Sequence, residues 1–263
     1  MMPSIEIRPE RRRQVASKAE MMDNYNCRFA VISANTLGLQ EQAYRLRYQV
    51  YCIENNFENS LDHPLEQEMD EFDDRSVHSV IIDRPNRAVV GTVRLILPDP
   101  KSVEESFPIQ RVCNHPLLQR HRLLHTARSA EISRFAVSKN FSRRAADSHP
   151  FKESRDERRA AMPNLTLGLM NGIVRMSAEN GISDWFAVME PTLLRLLARF
   201  GIYFSPIGPM VDYHGMRQPC HAVMSSLLER VRKERPEVWE IITDNGRLLD
   251  KEDRPFASFR LIN

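Results

Sequence analysis

The sequence predicts an α/β protein with a mixed, twisted sheet and helices on both faces. Three observations lead there. Short apolar or alternating runs recur along the chain, segments of helical periodicity separate most of them, and two runs are joined directly by a tight Pro-Asn turn.

The elements follow in order. Residues 28–33 (RFAVIS) read as a short buried strand, and Thr36 to Phe57 as a helix with Leu37, Leu39, Ala43, Leu46, Val50 and Ile53 near helical spacing. Residues 58–75 are acidic and turn-rich, which predicts a loop. VHSVIID, the turn RPNR and AVVGTVRLIL form a hairpin, and Pro98 and Pro100 break its second strand. After a basic loop, residues 129–138 alternate again as a strand. Residues 139–162 are polar and predict a mobile insertion. Asn164 is placed to cap a helix that stops at Gly181. SDWFAVM is a strand, Pro191 opens a helix that Gly201 ends, and the stretches YFSPIGPMV and 219–224 read as closing strands. The remainder is helical. The expected division is an N-terminal extension at 1–25, one α/β domain at 26–228 and a helical extension at 229–263. No internal repeat or low-complexity run appears.

Composition narrows the function. Lys plus Arg is 37 against 35 for Asp plus Glu, a formal charge of +2, too small for the electrostatic footprint of a dedicated nucleic-acid binder. Basic residues concentrate in two loops, 105–131 and 139–159, which suggests an anionic partner. Cys27, Cys52, Cys113 and Cys220 have no paired spacing, so they read as reduced thiols rather than a disulfide frame or metal site. No apolar stretch reaches the ~18 residues of a membrane span. The N-terminus lacks the apolar core of a secretion signal, and a cytoplasmic location is expected.

Several charged residues fall where solvent-facing charge is out of place. LRYQVY puts Arg47 and Tyr51 one turn apart on a helix, and EMDEFDD supplies Asp70 and Asp73 around Phe72. Arg94 interrupts a strand of Val and Leu, and Arg is almost never fully buried without a partner. Glu131 and Arg134 differ in parity along their strand; a β-bulge between them would bring them to one side. Taken singly, each has an ordinary reading as a surface charge or ion pair. Together they allow a mutually neutralising polar cluster.

The order Arg47-x-x-x-Tyr51, Phe57, E-x-D-x-F-D at 68–73, Arg94-Leu95 and E-x-S-R-F at 131–135 resembles the autoinducer synthases that make acyl-homoserine lactones. Tyr213-His214-Gly215 and Arg217-x-Pro219 make the chain more similar to the PEP-CTERM/exosortase system-associated acyltransferases, and more distantly to the N-acyl amino acid synthases. The resemblance spans about residues 28–225. It implies a GNAT-like acyl-CoA N-acyltransferase fold, with Arg47, Asp70, Asp73, Arg94, Glu131 and Arg134 as the charged cluster of an active site. It also implies a link to exosortase-type surface systems. Phe57 stands where the family usually has tryptophan, Tyr51 where it has phenylalanine, and the loop after Phe135 is longer. Whether a lactone forms is left open.

The activity implied is transfer of a fatty acyl chain from a thioester to the amine of an amino acid or related small molecule. Such an enzyme needs a base, because an ammonium cannot attack a carbonyl. Glu131 is the candidate; its other reading is a salt bridge with Arg134 or Arg94. Asp70 and Asp73 would attract the substrate ammonium, while Arg47 and Arg94 would hold its carboxylate or brace those aspartates. Backbone N–H groups along 132–137 would receive the oxyanion. His214 is a possible second acid, kept outside the catalytic set. An acyl pocket would use Phe57, Phe72, Met170, Trp185 and Phe186, although apolar residues on such a helix and strand are more often simply core. No permanent cofactor or metal is expected.

An acyl-carrier protein is preferred over coenzyme A as donor. The stretch VSKNFSRRAADSHPFKE has no glycine to make a pyrophosphate loop, although Arg143 and Arg144 could meet a phosphopantetheine phosphate or the acidic face of a carrier. The alternatives are a coenzyme-A-dependent N-acetyltransferase and a non-catalytic acyl-ligand-binding protein of the same fold.

Overall fold

The computed structural model describes residues 28–102, 105–119, 128–138 and 155–249. Arg143 and Arg144, the expected N-terminal extension and most of the expected 139–162 insertion lie outside them.

The sheet runs β1 (Phe29–Ser33), β2 (Ser76–Asp83), β3 (Ala88–Ile96), β4 (Ser129–Val137), β5 (Asp184–Met189), β8 (Met216–Val223), β6 (Ser205–Pro206), with β7 (Val211–Asp212) paired separately to β8. The β4–β5 pair is parallel and the others are antiparallel, so the sheet is mixed. Helix α1 (Leu37–Tyr48) covers one face and α2 (Arg155–Asn180) the other. Alternation along β2 decides this. Val80 points to Ala43 of α1, and its neighbour Ile81 enters the main core with Leu169 of α2. The α2 side comes very close to β2 at Gly172, where an added Cβ would lie 2.4 Å from Ser79 Oγ.

Thr36 caps α1 through its hydroxyl, which accepts from Leu39 N–H. The helix then widens into a π-helical segment, Gln49–Glu54, before the acidic loop. Helix α2 starts at Arg155 and passes through Pro163 and Asn164, so Asn164 is not its cap. The run RDERRAAM is rich in good helix formers and extends the element one stretch earlier than a Pro-Asn boundary suggests. Gly181 ends it at φ 69°, and Gly201 follows α3 (Pro191–Arg199) at φ 76°.

The segment from 229 onward contributes to the same core. Val231 of α4 (Met224–Glu234) and Val238, Ile241 and Ile242 of α5 (Pro236–Thr243) are buried with α2. Cys52, Cys113 and Cys220 are buried free thiols. Among the described residues no helix is long and apolar enough to cross a membrane.

Two irregularities of the sheet create the site. In β4, Thr92 opposes Ala136 but Arg94 opposes Ser133, so Arg134 and Phe135 together face the single residue Val93. This is a β-bulge, with Arg134 at φ 50°. Farther along, β4 and β5 pair only over Ser129–Ile132 and Asp184–Ala187, then separate.

Candidate active site

The bulge resolves the parity conflict between Glu131 and Arg134: with one residue inserted, both side chains line one small cavity. The parted strands open a second, larger groove of about 340 Å³. Its walls include Val50, Tyr51 and Phe57 from the α1 side, Ile132 to Val137 of β4, Val188 and Met189 of β5, and Leu193 and Leu196 of α3.

Arg47, Asp70, Asp73, Arg94 and Arg134 converge in one bonded network. Arg47 is fully buried; its Nε donates to Glu68 Oε2 at 2.6 Å and its two terminal nitrogens to Asp73 at 2.6 and 2.9 Å. Arg94 donates bidentately to Asp70 at 2.5 and 2.9 Å and through Nε to Ser133 Oγ at 2.9 Å. Arg134 reaches Glu68 at 2.8 Å, Asp70 at 3.1 Å and Glu58 at 3.2 Å. Asp73 also accepts the backbone N–H of Asp70. Three guanidiniums and four carboxylates thus satisfy one another, the condition under which buried charge is tolerated.

The electrostatics follow. Burial alone would raise the Glu68 carboxyl, but the Arg47 and Arg134 charges pull it down to about 2. Asp73 is lowered as well: the Arg47 bonds and charge outweigh its burial. These groups are ionised and already claimed by arginines. Asp73 is closed off from any substrate ammonium, whereas Asp70 and Glu58 keep part of their carboxylates accessible. Arg47 accordingly braces the acidic loop. His78, directly opposite Arg94 on β2, has both ring nitrogens buried without a hydrogen-bond partner among the described residues. Burial and the Arg47 charge push it down to about 4, so it is neutral here.

Glu131 behaves differently. Its Oε2 accepts the backbone N–H of Ile109 at 2.8 Å, and no arginine bonds it directly among the described residues. Burial pushes its pKa up to about 7, against the Ile109 bond and the Arg94 and Arg134 charges. Of the site's carboxyls, it is the one poised to gain and lose a proton near neutrality.

The expected acyl-pocket residues divide. Phe57 lies on the groove wall. Met170 and Trp185 do not line the groove: they are fully buried in the main core, with Trp185 Nε1 bonded to Ser177 Oγ. Phe72 and Phe186 belong to a separate buried cluster with Phe107 and Ile109. That cluster packs the turn whose N–H holds Glu131.

Several site residues went unassigned at the sequence level. Glu68 and Glu58 sit in the acidic loop, which reads as solvated surface. Glu68 does fall at the first position of the quoted E-x-D-x-F-D spacing, and that was the available signal. A tight turn from Asp212 to Arg217, with His214 and Gly215 at φ 54° and 94°, hangs over the Glu131 cavity. There His214 Nδ1 lies 3.0 Å from the carbonyl oxygen of Phe57, and Arg217 stacks on the Phe57 ring.

The acetyltransferase (GNAT) domain family matches residues 46–149. No curated protein matches the chain significantly. Among solved structures it is similar to TofI in a ternary complex with an inhibitor and MTA, at 20% identity and TM-score 0.53, covering 80% of this chain and 99% of that one. It is also similar to MesI, a CoA-dependent acyl-homoserine lactone synthase, at 19% identity and TM-score 0.51, covering 78% and 94% of the two chains. A third likeness is to BjaI, a CoA-dependent acyl-homoserine lactone synthase with SAM and isopentyl-CoA, at 24% identity and TM-score 0.50, covering 82% and 88%. The fold is GNAT-like.

Proposed function

We propose that the chain is an N-acyltransferase that moves a fatty acyl group from a thioester donor to the amine of an amino acid or related small molecule. The observation that carries this reading is Glu131: a buried carboxyl with a pKa near 7, beside a groove opened by the parting of β4 and β5. The partly apolar groove suits an extended acyl-phosphopantetheine arm. The similarity to CoA-dependent acyl-homoserine lactone synthases supports the same class of donor.

In this reading Glu131 takes the proton that leaves the amine. The amine nitrogen forms a bond to the thioester carbonyl carbon, the bulge backbone around Arg134 offers N–H groups to the oxyanion, and the C–S bond breaks. The departing thiolate then collects the proton. Arg47, Arg94, Arg134 and their carboxylates hold the acidic loop against β4 so that the site is preorganised.

Acyl-carrier protein remains the favoured donor on the absence of glycine in the 137–153 stretch, with Arg143 and Arg144 as its proposed contacts. A cytoplasmic location and a link to an exosortase-type surface system belong to the same proposal, the latter on the motif resemblance alone. Incubation with acyl-carrier protein or acyl-CoA of graded chain lengths and a panel of amines tests the reading. A new amide in the mass spectrum and stoichiometric free thiol are expected with one donor class. Thioesters left intact with every amine would sink it.

A further inference from the structure

We infer that Arg217 receives the acceptor's carboxylate where the Glu131 cavity meets the larger groove, and so is the residue that selects acceptors carrying one. This rests on the acyl-transfer reading of the same site and names what orients its acceptor.

Three guanidiniums line that cavity, those of Arg94, Arg134 and Arg217. The first two are committed to protein carboxylates at 2.5–3.2 Å. Arg217 is not. Its only carboxylate neighbour among the described residues is the half-exposed Glu190, at 3.3 Å, and its other bond is to the His214 carbonyl at 3.3 Å. Its Nε is buried and has no hydrogen-bond partner among the described residues. A buried guanidinium nitrogen without an acceptor is costly unless a ligand supplies one. The residue is also held in place: its guanidinium lies 5.3 Å from the centroid of the Phe57 ring, which fixes the plane in which a carboxylate can approach.

The position fits the chemistry. Arg217 borders both the small cavity and the larger groove, whereas Glu131 borders only the small one. Tyr51, Ile132, Ser133, Arg134 and Val188 border both spaces with Arg217, so the cavity and the groove meet there, and a carboxylate on Arg217 would hold an acceptor at that junction with its amine toward Glu131. The small cavity, about 40 Å³, has room for roughly three waters. It takes the amino end of the head, with the carboxylate at the Arg217 border and the rest of the acceptor projecting toward the larger groove.

Binding tests this without requiring turnover. N-decanoyl α-amino acids and the matching N-decanoyl amino-acid amides would be titrated calorimetrically into wild type and Arg217→Gln. Wild type should bind the acids at least tenfold more tightly than the amides, the scale of a charge-assisted hydrogen bond. Arg217→Gln should lose that preference while binding the amides unchanged. If its thermal melt shows misfolding, Arg217→Lys, which keeps a charge but lacks Nε, should retain only part of the preference. Equal wild-type binding of acid and amide, or full preference in the variant, overturns the assignment. Discrimination without any amide synthesis would instead sink the acyl-transfer reading and leave Arg217 as a carboxylate site.

Discussion

The backbone N–H of Ile109 donates to Glu131 Oε2 at 2.8 Å, and that bond ties the proposed base to a buried aromatic cluster rather than to an arginine. One carboxyl oxygen is fixed and the other is left to a substrate. An arginine bonded there would have depressed the pKa and removed the group as a base near neutral pH.

Glu131→Gln is expected to lower kcat by about 10²-fold or more while the melting temperature stays near that of wild type. Because the free carboxylate is the active form, wild-type kcat/KM should rise with pH and level off above about 7. A flat profile between pH 5.5 and 8 would remove Glu131 as the base.

Acid should weaken the fold through the buried network. Glu68 is depressed to about 2 and Asp73 is also lowered, so their stabilisation is full above the ordinary carboxylate range near pH 4.5 and is lost as pH falls toward 2. Glu131 is raised, so its contribution runs the other way and is lost as pH climbs from 4.5 to 7. His78, held down to about 4, gains stability over nearly the same window, from about pH 4 to 6.5, and offsets that loss. Chemical denaturation between pH 3 and 8 should therefore show stability rising up to about pH 5 and a broad plateau above it.

Arg47→Met should cost about 3–5 kcal/mol in urea unfolding, because it leaves Glu68 and Asp73 buried with fewer cationic partners. A loss below about 1 kcal/mol would show that the network contributes little to stability.

Gly172→Ala tests the packing of α2 on β2. Alanine gains about 1 kcal/mol of helix propensity, but its Cβ would fall 2.4 Å from Ser79 Oγ, a hydroxyl held near the Ile32 carbonyl. Overpacking of this kind costs ~1–3 kcal/mol, so a lower melting temperature is expected.

Leu196→Trp should shorten the acyl chain that the groove accepts, since Leu196 lines it beside Leu193. Donor competition read by mass spectrometry should shift toward shorter chains without loss of total turnover on the shortest.

Much of this was legible beforehand, for identifiable reasons. Alternation placed β2, β3 and β4, and Arg94 stood out because a guanidinium in a Val-Leu strand needs a partner. The opposed parity of Glu131 and Arg134 pointed to the bulge. Glu68 and Glu58 escaped because an acidic loop looks solvated until its tertiary position is known. Trp185 and Met170 were ambiguous for a related reason: periodicity separates buried from exposed but does not tell a cavity wall from solid core. The early start of α2 at Arg155 was masked by Pro163, whose usual effect is to end or open a helix.

Only four residue pairs join β4 to β5, so beyond Ile132 and Ala187 the two strands have no backbone ladder between them, although their halves of the sheet share one core. A donor arm wedged into the open part would touch both strands, so occupancy should stiffen both edges of the groove rather than one. Amide exchange would then slow on both flanks together, and the melting temperature would climb with donor concentration by mass action.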